Sequence, residues 1–246
     1  MEMRMEVRFK APILPRRYHF LFTSVIKSAM EISSPDFQKE MYYYGEKSNK
    51  QIKPFTGSIL LNNYELKNDT FIISGDVCLI ISSYDPEFMI HLYNGFITKT
   101  EYFYKEFSLS VLQVRFLTEK LPSKNKALFL AHSPIALKGK SGRYLAIDDA
   151  NYETELNYIC NKIINAATRR DLLNPLRFNP VLMKKNIVQL QHDAFQTMNE
   201  KSVLYVESYS GTFILEGSVD DLKILTMGGI GNRRSEFFGN IELVNE

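Results

Sequence analysis

The residues best suited to chemistry on an anionic ligand lie near the C-terminus, in the run Gly228-Gly229-Ile230-Gly231-Asn232-Arg233-Arg234-Ser235-Glu236-Phe237-Phe238-Gly239. Without Cβ atoms, Gly228, Gly229, Gly231 and Gly239 let backbone amides approach phosphates or bases closely. Arg233 and Arg234, beside Asn232 at the tip, can fork onto phosphate oxygens or guanine edges. The same composition also fits a tight turn between a last helix and a last strand. Two acid-free stretches add positive charge. Residues 120–143 hold Lys120, Lys124, Lys126, Lys138, Lys140 and Arg143, and residues 172–192 carry only Arg177, Lys184 and Lys185. Each reads as a solvated loop or as a surface that contacts phosphates.

Other chemistries are excluded by what is missing. The 4 histidines and 2 cysteines form no group with metal-ligand spacing, and no P-loop or Gly-x-Ser-x-Gly pattern occurs, so neither a metal nor a cofactor is expected. Cys78 and Cys160 lie in apolar runs and read as buried, reduced thiols. With 45% hydrophobic and 24% charged residues, a chain of 246 residues has the material for two compact domains. The formal charge of +2 does not exclude a polyanionic partner, because binding depends on patches rather than on the average. The charged N-terminus lacks an apolar stretch of signal-peptide length and nothing later approaches a membrane span. A cytoplasmic protein without a membrane partner is expected.

Positioning these groups falls to a regular succession of elements. Met3, Met5, Val7 and Phe9 alternate with Arg4, Glu6 and Arg8, which predicts a half-buried strand. Leu21, Ser24, Val25, Ser28 and Ala29 recur at helical spacing over 18–30, and Pro35 suits the first position of a second short helix to about 43. Strands are expected over 55–64, 70–82 and 103–117, with a helix over 86–97. After a polar linker at 119–126 the order returns: strand sequence over 127–137, a helix over 152–167, strands over 181–190 and 201–216, a helix over 219–226 capped by Ser218, and a strand over 237–244. Phe178, Tyr205 and Tyr209 read as core. Two passes through β-α-β-β-α-β predict an α+β protein of two tandem ferredoxin-like domains, residues 1–122 and 123–246.

The glycine-rich run, behind a short amphipathic helix and ahead of a final strand, resembles the terminal signature of the repeat-associated RNA-binding (RAMP) superfamily, and specifically of its CRISPR repeat-cleaving endoribonucleases. Three further segments agree in the family's order: Leu14-Pro15 with a helix containing Ser24-Val25-Ile26-Lys27, Lys53-Pro54-Phe55-Thr56 leading into a strand, and Ala131-His132-Ser133-Pro134-Ile135-Ala136-Leu137-Lys138. The resemblance implies paired ferredoxin-like domains that bind CRISPR repeat RNA, precursor and mature. It implies one cut without a metal, the 2′-hydroxyl attacking the adjacent phosphate to leave 2′,3′-cyclic phosphate and 5′-hydroxyl ends. RNA contacts would fall to the glycine loop, to His132, and to Lys138, Lys140, Arg169, Arg170, Lys184 and Lys185 along a groove. Arg169 and Arg170 are equally explained by the dipole of the helix they close. Phe237, where the family often has another glycine, points to part of the loop being packed.

Cleavage of this kind needs a base, an acid and a cation on the phosphorane. The family commonly carries a tyrosine in the first helix, a histidine just after the second and a lysine soon after. Those positions here hold Lys27, the segment 41–47 with three tyrosines and no histidine, and Lys53, with Lys47 and Lys50 as alternatives. The resemblance therefore assigns the chemistry to Lys27 and Lys53, with Tyr43 as proton donor. His19 is either a reserve acid or a packing residue. The missing histidine keeps open a non-catalytic RNA-binding protein or a structural subunit of a CRISPR effector complex, and a homodimer is compatible with both.

Overall fold

The structure, a computed structural model, describes residues 3–44, 47–48, 51–191 and 203–246. Lys50, His192 and the start of the strand expected from residue 201 lie outside the described residues. The first half contains β1 (Arg4–Lys10), β2 (Ile13–Pro15), α1 (His19–Ser33), α2 (Pro35–Tyr42), β3 (Tyr43–Tyr44), β4 (Lys47–Ser48), β5 (Phe55–Leu61), β6 (Tyr64–Lys67), β7 (Thr70–Ile73), β8 (Val77–Ser83), α3 (Pro86–Thr98), β9 (Glu101–Tyr104) and β10 (Phe107–Leu117). The second contains β11 (Lys126–Ala131), α4 (Tyr152–Thr168), β12 (Arg177–Gln191), β13 (Val203–Glu216), α5 (Val219–Gly228) and β14 (Ile241–Asn245).

Both large sheets have the same wiring. The first runs β5-β8-β1-β10-β9 and the second β12-β13-β11-β14, with neighbouring strands antiparallel throughout. In each, the first strand of the unit lies between its third and fourth, which is the ferredoxin-like arrangement expected from the order of elements. Two expected strands are broken. The strand expected over 70–82 breaks between Ile73 and Val77, and the one expected over 55–64 leaves the large sheet after Leu61, where Asn63 takes a left-handed φ of 51° and Asn62 donates from its backbone and side-chain amides to Asp76. The diverted pieces, β6 and β7, pair with β2 in a separate three-stranded sheet.

Local signals explain the helices that carry the site. Leu21, Phe22, Val25, Ile26, Ala29 and Met30 form the buried stripe of α1, and Pro35 opens α2 after extended Ser34. Asp85 caps α3 by accepting from the amides of Glu87 and Phe88, a contribution of about 1 kcal/mol. Helices α1 and α3 approach backbone to backbone, since a Cβ on Gly95 would collide with the Ala29 carbonyl. Beneath them Phe9 of β1 meets Phe22, Phe96 and Tyr102 edge to face. The two helices are thus fixed against the sheet, and Lys27 with them.

The first strand is not half-buried. Met5, Val7 and Phe9 are enclosed as expected, but Arg4 and Glu6 on the opposite face are enclosed too. The second half covers that face: Arg4 donates to the Ile241 carbonyl at 2.8 Å and to Glu242 at 3.0 Å, while its Nε reaches Ser82 at 2.8 Å. Glu119, read from sequence as part of a loose linker, lies buried 3.2 Å from Arg4. The segment between the halves is therefore anchored, and the halves share a polar seam.

Candidate functional site

Two of the lysines assigned by resemblance meet. Lys27 comes from the flank of α1 and Lys53 from the segment leading into β5, and their ammonium groups stand 4.6 Å and 4.9 Å from the ring centroid of Tyr42. Ring and cations attract one another electrostatically, and the shared ring brings the two amines within about 10 Å of each other. Burial holds the Lys27 amine below its ordinary range. Burial, and then the charge of Lys27, push Lys53 down to about 8. The Lys53 ammonium also donates to the Met41 carbonyl. Lys53 opens onto a cleft of about 650 Å³ between the halves, whose far wall includes Lys162 and Arg169 of α4 and its C-terminus. Lys27 opens onto a second hollow of about 340 Å³ with Lys99, Tyr43 and Phe103.

The tyrosine in this cluster is Tyr42 and not Tyr43. Helix α2 ends at Tyr42, so Tyr42 turns inward with Gln38 and Met41 while Tyr43, already extended, is 47% exposed at the second hollow. Helical spacing over 38, 41 and 42 carried that signal. Burial raises the Tyr42 phenol above its ordinary value and leaves its hydroxyl without a hydrogen-bond partner among the described residues, so it remains protonated.

His19 is a packing residue. It opens α1 with its ring stacked between Tyr18 at 5.0 Å and Phe238 at 5.7 Å, and its Nδ1 is enclosed without a hydrogen-bond partner among the described residues. Burial pushes its pKa down to about 4, so at neutral pH the ring is uncharged and the imidazolium form that could serve as an acid is absent.

The glycine loop is closed rather than open. Gly229, Gly231 and Gly239 take φ of 76°, 77° and 68°, and a Cβ on Gly229 would lie 2.7 Å from both the Gly239 carbonyl and Thr56. A Cβ on Gly231 would lie 2.7 Å from the Ala136 carbonyl. At these positions the absent side chains admit the protein's own backbone. Ile230 packs into the second core, Phe237 into the first and Phe238 into a cluster between them. Arg234, placed by sequence at an RNA-facing tip, is 6% exposed and donates to the carbonyls of Gly228 and Lys53. Arg233 is held by the Tyr144 hydroxyl at 2.6 Å and by Glu236, and Asn232 accepts from the Lys138 amide at 2.8 Å. A Cβ on Gly228 would meet the Tyr84 ring at 2.7 Å.

The remaining candidates divide. His132 and Arg4 share the Glu242 carboxylate, Arg170 holds the enclosed Asp221 at 2.5 Å, and Lys185 pairs with Glu207 across the hairpin at 2.8 Å. His132, Arg170 and Lys185 thus each have a carboxylate partner within the protein. Lys138 stands over the Tyr144 ring at 5.3 Å, its amine lowered by burial and then by Arg233. Lys140, Arg169 and Lys184 are exposed and make no ion pair among the described residues. Lys162, not singled out from sequence, joins Arg169 on the cleft wall. Tyr209 and Phe178 are core as expected, but Tyr205 is 57% exposed on the outer hairpin. Cys78 and Cys160 are buried and free. Among the described residues no three His, Cys, Asp or Glu side chains gather closely enough to hold a metal, and no helix is long and apolar enough to cross a membrane.

The family model described as CRISPR associated protein Cas6, C-terminal, matches residues 117–243, just over half of the chain. The chain belongs to the Cas6 family. Solved structures share its architecture. A Cas6-related protein from Pyrococcus furiosus superposes with a TM-score of 0.81 at 20% identity over 100% of both chains. A RAMP protein described as binding different RNA substrates gives 0.80 at 19%, over 99% of this chain and 100% of the other. The product complex of a Thermus thermophilus Cas6 gives 0.65 at 14%, again over 99% and 100%. At these identities the likeness establishes the double ferredoxin-like fold alone. No curated protein sequence matches the chain.

Proposed function

We propose that this Cas6-family protein binds CRISPR repeat RNA and cleaves it within the precursor transcript to give mature guide RNAs, as a metal-independent endoribonuclease. The observation that carries the reading is the convergence of Lys27 and Lys53 on Tyr42 beside the cleft between the halves. Membership of the family and the RNA complexes solved for relatives of the same fold support it.

In the reaction the 2′-oxygen bonds to the adjacent phosphorus and the bond from phosphorus to the 5′-oxygen breaks, leaving 2′,3′-cyclic phosphate and 5′-hydroxyl ends. Lys53, with a pKa of about 8, is mostly protonated at pH 7 yet gives up its proton more readily than an ordinary lysine, which suits an acid for the leaving 5′-oxygen. Lys27, a second cation nearby, offsets the charge that develops on the phosphorane. The 2′-hydroxyl proton passes to water. Tyr42 is the platform that holds both amines. Exposed Lys140, Arg169 and Lys184 contact phosphates along the RNA. A cytoplasmic location, association with a CRISPR effector complex, homodimerisation and a domain boundary near residue 122 belong to the same proposal.

The test is incubation of the purified protein with end-labelled repeat RNA in excess chelator. A single cut with a cyclic phosphate end is expected, lost by about 100-fold or more in Lys27→Ala, Lys53→Ala with RNA still bound. No cut in any repeat of the same genome refutes the nuclease. One observation favours a second reading, that of a non-catalytic repeat RNA-binding protein: segment 41–47 has no histidine and His19 is sequestered among aromatic rings. That reading expects salt-sensitive binding without product.

A further inference from the structure

We propose that Arg234 is a positioning residue for Lys53: lodged between the two halves, its guanidinium grips the Lys53 carbonyl and so sets where that side chain stands. The effect on rate rests on the nuclease reading, while the effect on Lys53 does not. One arm of Arg234 donates to the Lys53 carbonyl at 2.9 Å, the other to the Gly228 carbonyl, and the Tyr84 phenol adds a side-chain hydrogen bond. The neighbouring residues are pinned as well. Ser83 donates to the Pro54 carbonyl at 2.9 Å, and Thr56 donates to the Phe238 carbonyl at 3.0 Å. Residues 53–56 are therefore held by β8 on one side and by the glycine loop on the other, and Arg234 is the hold nearest the amine.

A space-filling role does not account for an arginine here. It makes no ion pair among the described residues, and a buried cation without a carboxylate is costly unless its donors are used. A methionine or leucine would fill the same volume at lower cost. What only the planar fork can do is hold two carbonyl oxygens, one from each half, at a fixed spacing. Lys53 needs that precision, because its ammonium must stand over Tyr42 and reach the Met41 carbonyl at once. The three tight glycines keep the loop close enough for the grip to reach.

The test reads Lys53 directly. Full-length protein is acylated with an amine-reactive ester across pH 6–11 and modification of Lys53 is followed by mass spectrometry, since only the neutral amine reacts. In the native protein the midpoint is expected near 8. In Arg234→Gln it is expected to rise by about one unit or more toward an ordinary lysine, with RNA affinity within about threefold and cleavage down about 10- to 100-fold. Arg234→Lys, which can reach one carbonyl at a time, should recover part of both. An unchanged Lys53 midpoint in folded Arg234→Gln overturns the proposal, whatever happens to the rate. If that variant does not fold, Tyr84→Phe removes a lesser anchor and should move the midpoint in the same direction; an unchanged midpoint there overturns it equally. A moved midpoint in a protein that cuts no RNA supports the positioning role and refutes the nuclease.

Discussion

Protonation of His19 should unfold the contact between α1 and the glycine loop. Its pKa is about 4 in the folded protein against 6.5 for an ordinary histidine, and burial among Tyr18, Phe237 and Phe238 is the cause. The folded value lies below the unfolded one, so between pH 6.5 and 4 the unfolded chain binds the extra proton, and stability falls as pH falls through that window. Linkage puts the loss from this one ring at about 1 kcal/mol at pH 5.5 and about 2 to 3 kcal/mol by pH 4.5. His19→Phe keeps an aromatic ring against Phe238 and removes the titration. Carboxylates also titrate in this range, so the quantity to measure is the difference between native protein and variant. Urea unfolding at pH 7.0, 5.5 and 4.5 gives it directly. The native protein should lose stability faster than His19→Phe by the amounts above, and parallel losses in the two proteins would refute the burial argument.

Other outcomes follow from the same contacts. With Lys53 as the acid, kcat/KM on repeat RNA should fall about tenfold between pH 7 and pH 9, and Lys27→Met should move that limb upward while leaving it below an ordinary lysine, because burial is the larger cause of the shift. Gly239→Ala, at a φ of 68° and facing the Ile230 carbonyl, should cost about 2 to 4 kcal/mol in urea unfolding. Phe9→Ala should cost about 3 to 5 kcal/mol, since it empties the centre of the first core. Asp85→Ala should cost only about 1 kcal/mol, seen as a small shift in urea midpoint.

The sequence by itself determined which elements form and in what order. Alternation in β1, the apolar stripe of α1, Pro35 and Pro86 at helix starts and the Ser218 cap are local signals, decided within a few residues by backbone sterics and hydrogen bonding. The order of those elements was enough for the paired ferredoxin-like topology, and residue resemblance was enough to bring Lys27 and Lys53 forward. Tertiary structure decided what faces what. Arg4 lies on the face of β1 that alternation assigns to solvent, and Ile241 and Glu242, together with Glu119, come from far along the chain to cover it. Tyr42 rather than Tyr43 receives the lysines because α2 ends between them. Arg234 looks like a phosphate ligand in one dimension and becomes an internal strut because Lys53, 181 residues away, comes to meet it. Burial and partnership of polar groups depend on chain segments far apart in sequence, and no local period or propensity records which segment will cover them.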